Sequence, residues 1–460
     1  MLFSSIPFIY YFLPIVFLIY FLVPRKFKNF TLLVSSLIFY AWGEPKLTAV
    51  MIISIATGYV SGLILEKYRN TKKGRLILCL SLLIPIGFLV YFKYADFFIN
   101  TFNSVTGLSL PLLKVVLPIG ISFYTFQILS YQVDVYRGTE AQKNPVDLAC
   151  YITLFPQLIA GPIVRYTDIE RELKNRTHTA EKFASGVVKF TVGLGKKILL
   201  ANTIGSFCTA FDGATDKSVV FAWVNAVAVA LQIYFDFSGY SDMAIGLGRM
   251  LGFKFPENFN YPFISKSATE FWRRWHISLG SWFRDYVYIP LGGNRVSPSR
   301  HIFNIFAVWF LTGFWHGAGW NYIIWGIFYA VILIAEKLFY GKALEKHRVF
   351  SHIYVVFITL ISFTIFNREN MGDMLSYFSL MLGFNDAPLI TAETLYYLKS
   401  YAVIIIVAVI GSTPLMKKLT DRLPEKAKHV LTPLFIIGVL LLSTAYLVDG
   451  SFNPFLYFRF

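Results

Sequence analysis

Repeated apolar runs of membrane-spanning length are the feature that most constrains this chain. Such runs cover about 5–24, 47–65, 319–335, 351–366 and 400–415, with a shorter run at 29–43 and further helical candidates at about 76–93, 114–136, 145–161, 182–211 and 218–250. A helix needs roughly 20 consecutive apolar residues to cross a bilayer. Only 15% of the 460 residues are charged and 56% are hydrophobic, whereas soluble domains average about 25% charged residues. The sequence therefore predicts an all-α polytopic membrane protein.

The length sets the number of crossings. At roughly 20 residues per span, 460 residues hold about ten spans plus loops. No long polar or Gly/Ser-rich linker divides the chain, so we predict one membrane domain covering 1–460. The start of the chain has neither a charged n-region nor a cleavage site, which favours a first transmembrane helix over a removable signal.

The net charge of +16 lies in short loops between the apolar runs. Basic clusters at about 67–75 and 417–428 are typical of cytoplasmic loops, which places the N-terminus outside. Anionic lipid headgroups explain such loops, and no nucleic-acid motif accompanies them, so we expect a bilayer partner and no nucleic acid. The cysteines, Cys79, Cys150 and Cys208, offer neither a disulfide framework nor metal-ligand spacing. We predict no metal site.

A basic and aromatic stretch at 270–295 contains Arg273, Arg274, Trp275 and His276. Seven of the nine tryptophans lie between Trp272 and Trp325. One interpretation is an amphipathic interfacial helix with tryptophans at the headgroups and arginines reaching water. The other is a pocket near the cytoplasmic face for phosphates or a thioester-linked donor. Segments 269–290 and 302–316 are short for lipid-exposed spans, so we expect them in the protein interior.

A second stretch, 312–321, reads Thr-Gly-Phe-Trp-His-Gly-Ala-Gly-Trp-Asn. It places His316 beside Trp315 at a bend between two apolar runs, with Trp320 and Asn321 following. Three glycines in seven residues allow the backbone to turn and a substrate to approach closely. Ionisable groups at membrane depth usually face a protein-lined cavity, which makes His316 a site candidate. A structural histidine bridging two helices remains the alternative.

A third stretch, 234–242, places Asp236, Ser238, Tyr240 and Asp242 within an apolar helix. Buried carboxylates need partners, and the sequence suggests Arg273, Arg274 or His276. This pattern favours ion pairs in the interior over catalysis. The pair Lys196-Lys197 is expected to lie at the interface or in the cytoplasm.

Together these stretches resemble the membrane-bound O-acyltransferase family. The resemblance is to its bacterial branch, which includes alginate and peptidoglycan O-acetyltransferases and the D-alanyl transfer protein of teichoic acids. The matching segments lie at 1–5, 39–42, 117–123, 155–157, 161–162, 236–246, 275–278 and 315–317. Several motifs in the right order make the resemblance specific, and it covers nearly the whole chain.

The resemblance implies a ring of about ten or more transmembrane helices around short or re-entrant central helices. A tunnel would join a cytoplasmic acyl donor to an external acceptor. The Trp-His-Gly motif identifies His316 as the expected catalytic residue, and His276 matches a second histidine with a supporting role. Candidate substrate- or donor-binding residues are Trp315, Trp320, Asn321, Trp275, Arg273, Arg274, Asp236 and Ser238.

The implied reaction is transfer of an acetyl group from a thioester to a hydroxyl of an envelope polysaccharide, in a bacterial cytoplasmic membrane. His316 would be the base, with Asn321, Trp320 or His276 as donors to the oxyanion. The donor substrate would be acetyl-CoA or an acyl-carrier thioester, with no permanently bound cofactor. The Gly-x-Ser-x-Gly pattern is absent, so transfer is direct or onto a hydroxyl of an esterase-like external partner.

Two alternatives stay open at this point. The first is D-alanyl or other acyl transfer from a carrier protein towards teichoic acid. The second is a proton-coupled transporter or flippase whose histidines relay protons. The sequence shows no internal repeat of the kind found in many transporters, which argues against the second alternative.

Overall fold

The computed structural model describes residues 1–159, 161–384, 386–450 and 455–456. Within these ranges the regular elements are all helical and no β-strand is present. This confirms the all-α prediction. The chain divides into two compact units, 1–190 with 241–256, and 191–240 with 257–460. One membrane domain stays a prediction.

The first unit is built from α-helices of very different lengths, joined by short turns. Two π-helical turns, Pro7–Phe12 and Val90–Tyr94, and a 3₁₀ turn, Arg25–Phe27, adjoin them. The α-helices are Leu13–Leu22, Lys28–Ala41, Thr48–Tyr68, Gly74–Leu89, Ala95–Thr106, Ile121–Arg137, Pro145–Thr153, Phe155–Leu158, Tyr166–Lys174 and, ending in the second unit, Ala180–Gly195.

The second unit holds the long helix Val219–Met250, whose last turns belong to the first unit. Its other α-helices are Asn202–Gly213, Ala268–Arg274, Ile277–Phe283, Pro298–His316, Trp320–Ala335, Gly341–Lys346, Arg348–Asn367, Met371–Met381, Ala392–Gly411, Leu415–Asp421 and Glu425–Asp449. The π-helical turns are Lys196–Ala201, Arg284–Tyr288 and Glu336–Tyr340, and Pro262–Ile264 is a 3₁₀ turn.

Seven helical segments of the described residues are long and apolar enough to cross a membrane. They are Thr48–Tyr68, Gly74–Thr106, Val219–Met250, Trp320–Lys346, Arg348–Asn367, Ala392–Gly411 and Glu425–Asp449, and Pro7–Leu22 is a shorter apolar helix. The protein is therefore a multi-pass membrane protein. These seven segments are fewer than the ten or so spans predicted from the chain length. The ring and the tunnel stay predictions.

Burial separates the spans into two kinds. In Glu425–Asp449 only 6% of the most apolar 18-residue stretch is buried within the protein, and in Ala392–Gly411 only 11%. The corresponding value for Val219–Met250 is 61%. Apolar side chains left exposed on a spanning helix suit contact with lipid, whereas a buried span carries the polar groups that lipid does not tolerate. Asp236 and Ser238 lie on that buried helix.

Two helices predicted from apolar runs differ in the structure. The run at about 114–136 becomes helical only at Ile121, because Pro118 and the left-handed Gly120 (φ 76°) precede it. The run at 269–290 is interrupted at Trp275 and His276, so it is not one amphipathic helix. These interruptions arise from single backbone conformations, which apolar periodicity does not encode.

Candidate active site

His316 is the last residue of helix Pro298–His316. Gly317 follows with extended backbone (φ −165°, ψ 160°), and the chain becomes helical again at Trp320. The aromatic ring of Tyr322 fills the space that a side chain at residue 317 would need. The predicted bend at His316 is therefore present, and a glycine at 317 is required by packing.

The two helices that flank this bend pack at very short range. Gly313 and Gly326 face each other, and a Cβ atom on Gly313 would lie 3.1 Å from the Gly326 Cα atom. Small residues at such a crossing let helix backbones approach within membranes. Gly313 and Gly326 thus serve the contact between the helices, and the close approach of a substrate to the glycines of 312–321 stays a prediction.

Aromatic rings surround the His316 imidazole. The ring centroids of Trp315 and Trp325 each lie 5.1 Å from that of His316, and the Phe366 centroid lies 5.3 Å away. The interplanar angles with Trp325 and Phe366 are both 86°, which is edge-to-face packing. His316 is 5% exposed. The packing therefore holds the imidazole in one place within the protein interior.

A partly open cavity lies against His316. Its walls are almost entirely apolar, and the polar members are His316 and Asp236. The lining residues are Ile233, Asp236, Phe237, Trp275, His316, Trp325, Phe363, Phe366, Phe455 and Leu456. Small-molecule sites are typically lined by apolar and aromatic side chains with a few polar groups. The geometry is that of a small-molecule site with a histidine in its wall.

His276 lies in a sharp turn between helices Ala268–Arg274 and Ile277–Phe283. Its backbone is left-handed (φ 45°, ψ 52°), which is uncommon for a residue other than glycine. The Asn258 Oδ1 atom lies 3.1 Å from His276 Nδ1 and accepts hydrogen bonds from the Ser278 amide and hydroxyl. In sequence, His276 lies outside the candidate spans, between Val219–Met250 and Trp320–Lys346. Its side chain is 1% exposed. Burial lowers its pKa to about 3, so it is neutral at physiological pH.

Helix Ala268–Arg274 leads into this turn and is fixed at its N-terminus. The Ser267 side chain accepts a hydrogen bond from the Glu270 amide. The buried Glu336 carboxylate accepts from the Ala268 amide and from the amide and hydroxyl of Thr269, the latter two at 3.1 and 2.9 Å. A carboxylate at a helix N-terminus satisfies amides that have no partner within the helix. This arrangement positions Trp275 and His276.

The cavity carboxylate, Asp236, forms a buried ion pair with Lys197. The Lys197 Nζ and Asp236 Oδ1 atoms are 2.5 Å apart, and both side chains are 2% exposed. The other carboxylate oxygen accepts a hydrogen bond of 2.9 Å from the Leu456 amide. In the first unit, Asp242 pairs with Lys189 at 2.9 Å. The expected partners Arg273, Arg274 and His276 were wrong, and so was the interfacial placement of Lys197.

The profile of the family described as MBOAT, membrane-bound O-acyltransferase, matches residues 142–375, which contain both histidine turns. A probable alginate O-acetylase of Azotobacter vinelandii is 36% identical over 499 aligned residues, covering all of both chains. This chain belongs to the membrane-bound O-acyltransferase family. It is an O-acyltransferase, as the sequence motifs predicted.

Two further relatives show how the branches of the family compare with this acyltransferase. A peptidoglycan O-acetyltransferase of Helicobacter pylori is 34% identical over 85% of this chain and 81% of its own length. A teichoic acid D-alanyltransferase of Bacillus subtilis is 31% identical over 48% of this chain and 59% of its own length. Similarity to O-acetyltransferases therefore extends over more of the chain.

The structure brings some of the predicted site residues of the acyltransferase to the cavity and leaves others away from it. His316, Trp275 and Asp236 line the cavity. Trp315 is buried between the two histidines, with ring centroids 5.1 Å from His316 and 6.2 Å from His276. Ser238 is buried but is not among the lining residues. Direct roles for the candidates stay predictions.

The remaining candidates do not line this cavity. Trp320 is 49% exposed. The buried Asn321 donates a hydrogen bond of 2.9 Å from Nδ2 to the Phe366 carbonyl, which ties two helices together. Arg273 is exposed, and Arg274 pairs with Glu270 at 2.9 Å. Among the described residues no cluster of histidine, cysteine or acidic side chains has the arrangement of a metal site.

Several cavity residues of the acyltransferase escaped the sequence analysis. Phe363 and Phe366 come from an apolar run that resembles any other span, and Phe455 and Leu456 come from near the end of the chain. Their contribution depends on tertiary contacts alone. Asn258 had a weak signal, because Asn258 and Asn260 form a polar loop directly before the basic and aromatic stretch. Lys197 was detectable as a lysine within an apolar helix.

Proposed function

We propose that the acyltransferase moves an acetyl group from a cytoplasmic thioester donor across the membrane to hydroxyls of an extracytoplasmic envelope polysaccharide. The observation that carries this proposal is the buried His316 in the wall of an aromatic cavity. Support for acetyl as the group comes from the relatives named as O-acetylases and O-acetyltransferases, which align over most or all of the chain.

In the proposed step, His316 takes the proton of the attacking hydroxyl. The hydroxyl oxygen forms a bond to the acetyl carbonyl carbon, and the carbon–sulfur bond of the thioester breaks. The thiolate that leaves takes up the proton from His316, so the reaction is balanced. A histidine suits this role because its ordinary pKa lies near the working pH. The ring packing of Trp325 and Phe366 supports the role by holding the imidazole in position.

Direct transfer, without an acyl-enzyme on this chain, is favoured by the lining of the cavity. A covalent acyl-cysteine needs a reactive thiol at the site, and none of Cys79, Cys150 and Cys208 is among the described lining residues. Burial raises the pKa of Cys150 to about 12, which disfavours the nucleophilic thiolate. The acceptor hydroxyl belongs either to the polysaccharide or to an external esterase-like partner that completes the transfer.

The donor is proposed to be acetyl-CoA or an acyl-carrier thioester, and the membrane to be the bacterial cytoplasmic membrane. Thioesters of both kinds are made in the cytoplasm, whereas envelope polysaccharides lie outside. The chain therefore has to pass the acyl group across the bilayer. The apolar cavity suits an acetyl group, which carries no charge, better than it suits a charged group.

D-alanyl transfer towards teichoic acid is the second candidate function. The observation that favours it is the alignment with a teichoic acid D-alanyltransferase over about half of this chain. A D-alanyl group carries an ammonium, which would need a partner such as Asp236 in the cavity. That carboxylate is already bound by Lys197, which argues for the acetyl group.

The function is tested by deleting the gene and restoring it as wild type or as His316→Ala. We expect deletion to remove ester-linked acetate from the envelope, wild type to restore it, and His316→Ala to fail at equal protein level. Mass spectrometry of alkali-released acids identifies the group. Loss of D-alanine esters instead would favour the second candidate, and unchanged esters in all strains would refute both.

The donor and the transport alternative are tested with purified protein in lipid nanodiscs. Acetyl-CoA and an acetylated carrier protein are offered in turn, and thiol release is measured. Release by one of them, dependent on His316, identifies the donor class. A proton-driven flux without thioester cleavage would contradict the enzyme proposal and favour a transporter.

A further inference from the structure

The turn at His276 is held by a buried asparagine that no sequence motif marked. Asn258 is 1% exposed and contacts the turn through both its backbone and its side chain. Its backbone carbonyl accepts a hydrogen bond of 3.0 Å from the Ile277 amide. Its side-chain Oδ1 accepts bonds of 3.1 and 2.9 Å from the amide and the hydroxyl of Ser278. These bonds hold the left-handed backbone of His276.

The orientation of the Asn258 amide follows from one of these bonds. A backbone N–H only donates, so the atom that receives the Ser278 amide proton must be the oxygen. Rotating the amide by half a turn would place its NH₂ group against the N–H of Ser278. The oxygen is therefore the atom that faces His276 Nδ1 at 3.1 Å.

An oxygen facing Nδ1 determines where the imidazole carries its proton. The carbonyl oxygen of an amide only accepts, so His276 Nδ1 must donate to it. A neutral imidazole has one N–H, and with Nδ1 protonated the Nε2 atom carries a lone pair. His276 is 1% exposed, and among the described residues Nε2 has no hydrogen-bond partner. A buried acceptor without a partner costs free energy, which is typical of groups kept for a ligand.

The surroundings of this imidazole connect it to the cavity. The Phe237 ring, which lines the cavity, packs perpendicular to His276 with the centroids 4.7 Å apart. On another side lies Trp315, the neighbour of His316 in sequence. His276 is thus one ring away from the cavity through Phe237, and one ring away from His316 through Trp315.

We propose that Asn258 is a positioning residue that fixes His276 as the Nδ1–H tautomer, so that Nε2 accepts a hydrogen bond from a hydroxyl group of the acceptor. This inference rests on the proposed acyl transfer to a hydroxyl. A neutral His276 held in this tautomer has no Nε2–H to donate to an oxyanion. The two histidines then both act on the acceptor side of the reaction.

A pH test of His276 has to take account of the charged and titratable groups on the elements packed around it. Helix Val219–Met250 carries Asp236 and Tyr240 beside Phe237, and helix Pro298–His316 carries His316 beside Trp315. Glu257 precedes Asn258, and Arg273 and Arg274 precede the turn on the helix of His276. The cause of the low pKa of His276 is its burial.

The tautomer itself is tested by NMR of protein carrying ¹⁵N-labelled histidine in lipid bilayers. The His276 signals are assigned by their loss in His276→Gln. We expect a protonated Nδ1 and an unprotonated Nε2 at neutral pH, and the reverse pattern would overturn the proposal. This measurement needs no catalytic activity. Absence of any acyl transfer would therefore reject the proposed function and leave the tautomer as a separate result.

The role of Asn258 in the reaction is tested with Asn258→Asp and Asn258→Leu. Aspartate retains the acceptor oxygen but adds a charge that favours the imidazolium, so the pKa of His276, read from its ¹⁵N signals, should move up by about 1–3 pH units. Leucine removes the acceptor, and we expect kcat to fall by up to about 10-fold, the loss expected on removing His276 itself, with a smaller change in KM. Activity at high pH should be retained by aspartate and not by leucine.

The matched control is Asn225→Asp. Asn225 is also 1% exposed and lies in the second unit, and its amide donates to the Tyr377 hydroxyl at 3.0 Å. The same charge introduced there should leave the pKa of His276 where it is. An unshifted His276 pKa in Asn258→Asp, or an equal shift in Asn225→Asp, would overturn a positioning role for Asn258.

Discussion

The turns at His316 and at His276 are the two regions whose comparison is most informative. Both histidines are buried, at 5% and 1% exposure, and both lie at or just after the end of a helix that carries tryptophans. At His316 the helix ends and Gly317 continues with extended backbone. Aromatic rings hold the imidazole at the cavity wall. At His276 the backbone is left-handed, and one hydrogen bond, from Nδ1 to the Asn258 Oδ1 atom, holds the ring.

This difference shows which property of each histidine its surroundings control. Ring packing at His316 determines where the imidazole stands relative to the cavity. The Asn258 oxygen at His276 determines which nitrogen carries the proton. Position and protonation are separate requirements of acid–base catalysis, and here they are met by different contacts at different turns. Three predictions test this comparison, beginning with the largest expected effect.

Replacing each histidine by glutamine should separate the two roles most strongly. For His316→Gln we expect a loss of acyl transfer of about 10²–10⁴-fold, the usual contribution of a general base. For His276→Gln we expect a loss of about 10-fold, which corresponds to one hydrogen bond in a buried site. The measurement is ester-linked acid in the envelope per amount of membrane protein.

The control for this pair is His301→Gln. His301 lies on the same helix as His316 but bonds to the Tyr288 hydroxyl at 2.8 Å and does not line the cavity. It should retain wild-type transfer. A larger loss in His276→Gln than in His316→Gln would reverse the comparison.

The cavity at His316 contains a buried ion pair, whereas the hydrogen bonds around the His276 ring are neutral. Lys197→Met leaves the Asp236 carboxylate buried without its cation, which should cost about 3–5 kcal/mol of stability. In Lys189→Met the pair lost is more exposed, with Lys189 at 24% and Asp242 at 12%, and the cost should be about 1 kcal/mol or less. Thermal unfolding in detergent measures both.

A double variant tests whether the stability lost in Lys197→Met comes from the unpaired Asp236 carboxylate. Lys197→Met combined with Asp236→Leu removes both charges, so it should be more stable than Lys197→Met alone. A double variant as unstable as the single one would show that the cation stabilises the protein through other contacts.

The buried neutral His276 should make stability depend on pH. Its pKa in the folded protein is about 3, against an ordinary value of 6.5. As the pH falls below 6.5, the unfolded chain binds a proton that the folded chain does not, so stability falls until the pH reaches the folded value. At pH 5 the loss relative to neutral pH should be about 2 kcal/mol.

The check is thermal unfolding of wild type and His276→Gln at pH 7 and pH 5. The variant should lose less stability on acidification than wild type. The control is His429→Gln, at an exposed position, which should show the same pH dependence of stability as wild type. Equal losses in wild type and His276→Gln would contradict a neutral buried imidazole.

How much was predictable can be judged from particular residues. The runs at about 47–65 and 319–335 became helices Thr48–Tyr68 and Trp320–Ala335, and the bend at His316 was anticipated from its glycines. The partners of Asp236 were not, because Lys197 and the Leu456 amide are 39 and 220 residues away along the chain. The interruption at His276 was missed because it depends on Asn258.

The sequence by itself determined the membrane class, the helical content and the family, and it singled out both histidines. Those features follow from local composition and from short motifs, which a chain carries whether or not it is folded. Only the tertiary structure decided that Trp325 and Phe366 pack against His316, and that Asn258 orients His276. Both depend on contacts between residues distant in sequence, which form only when the helices pack.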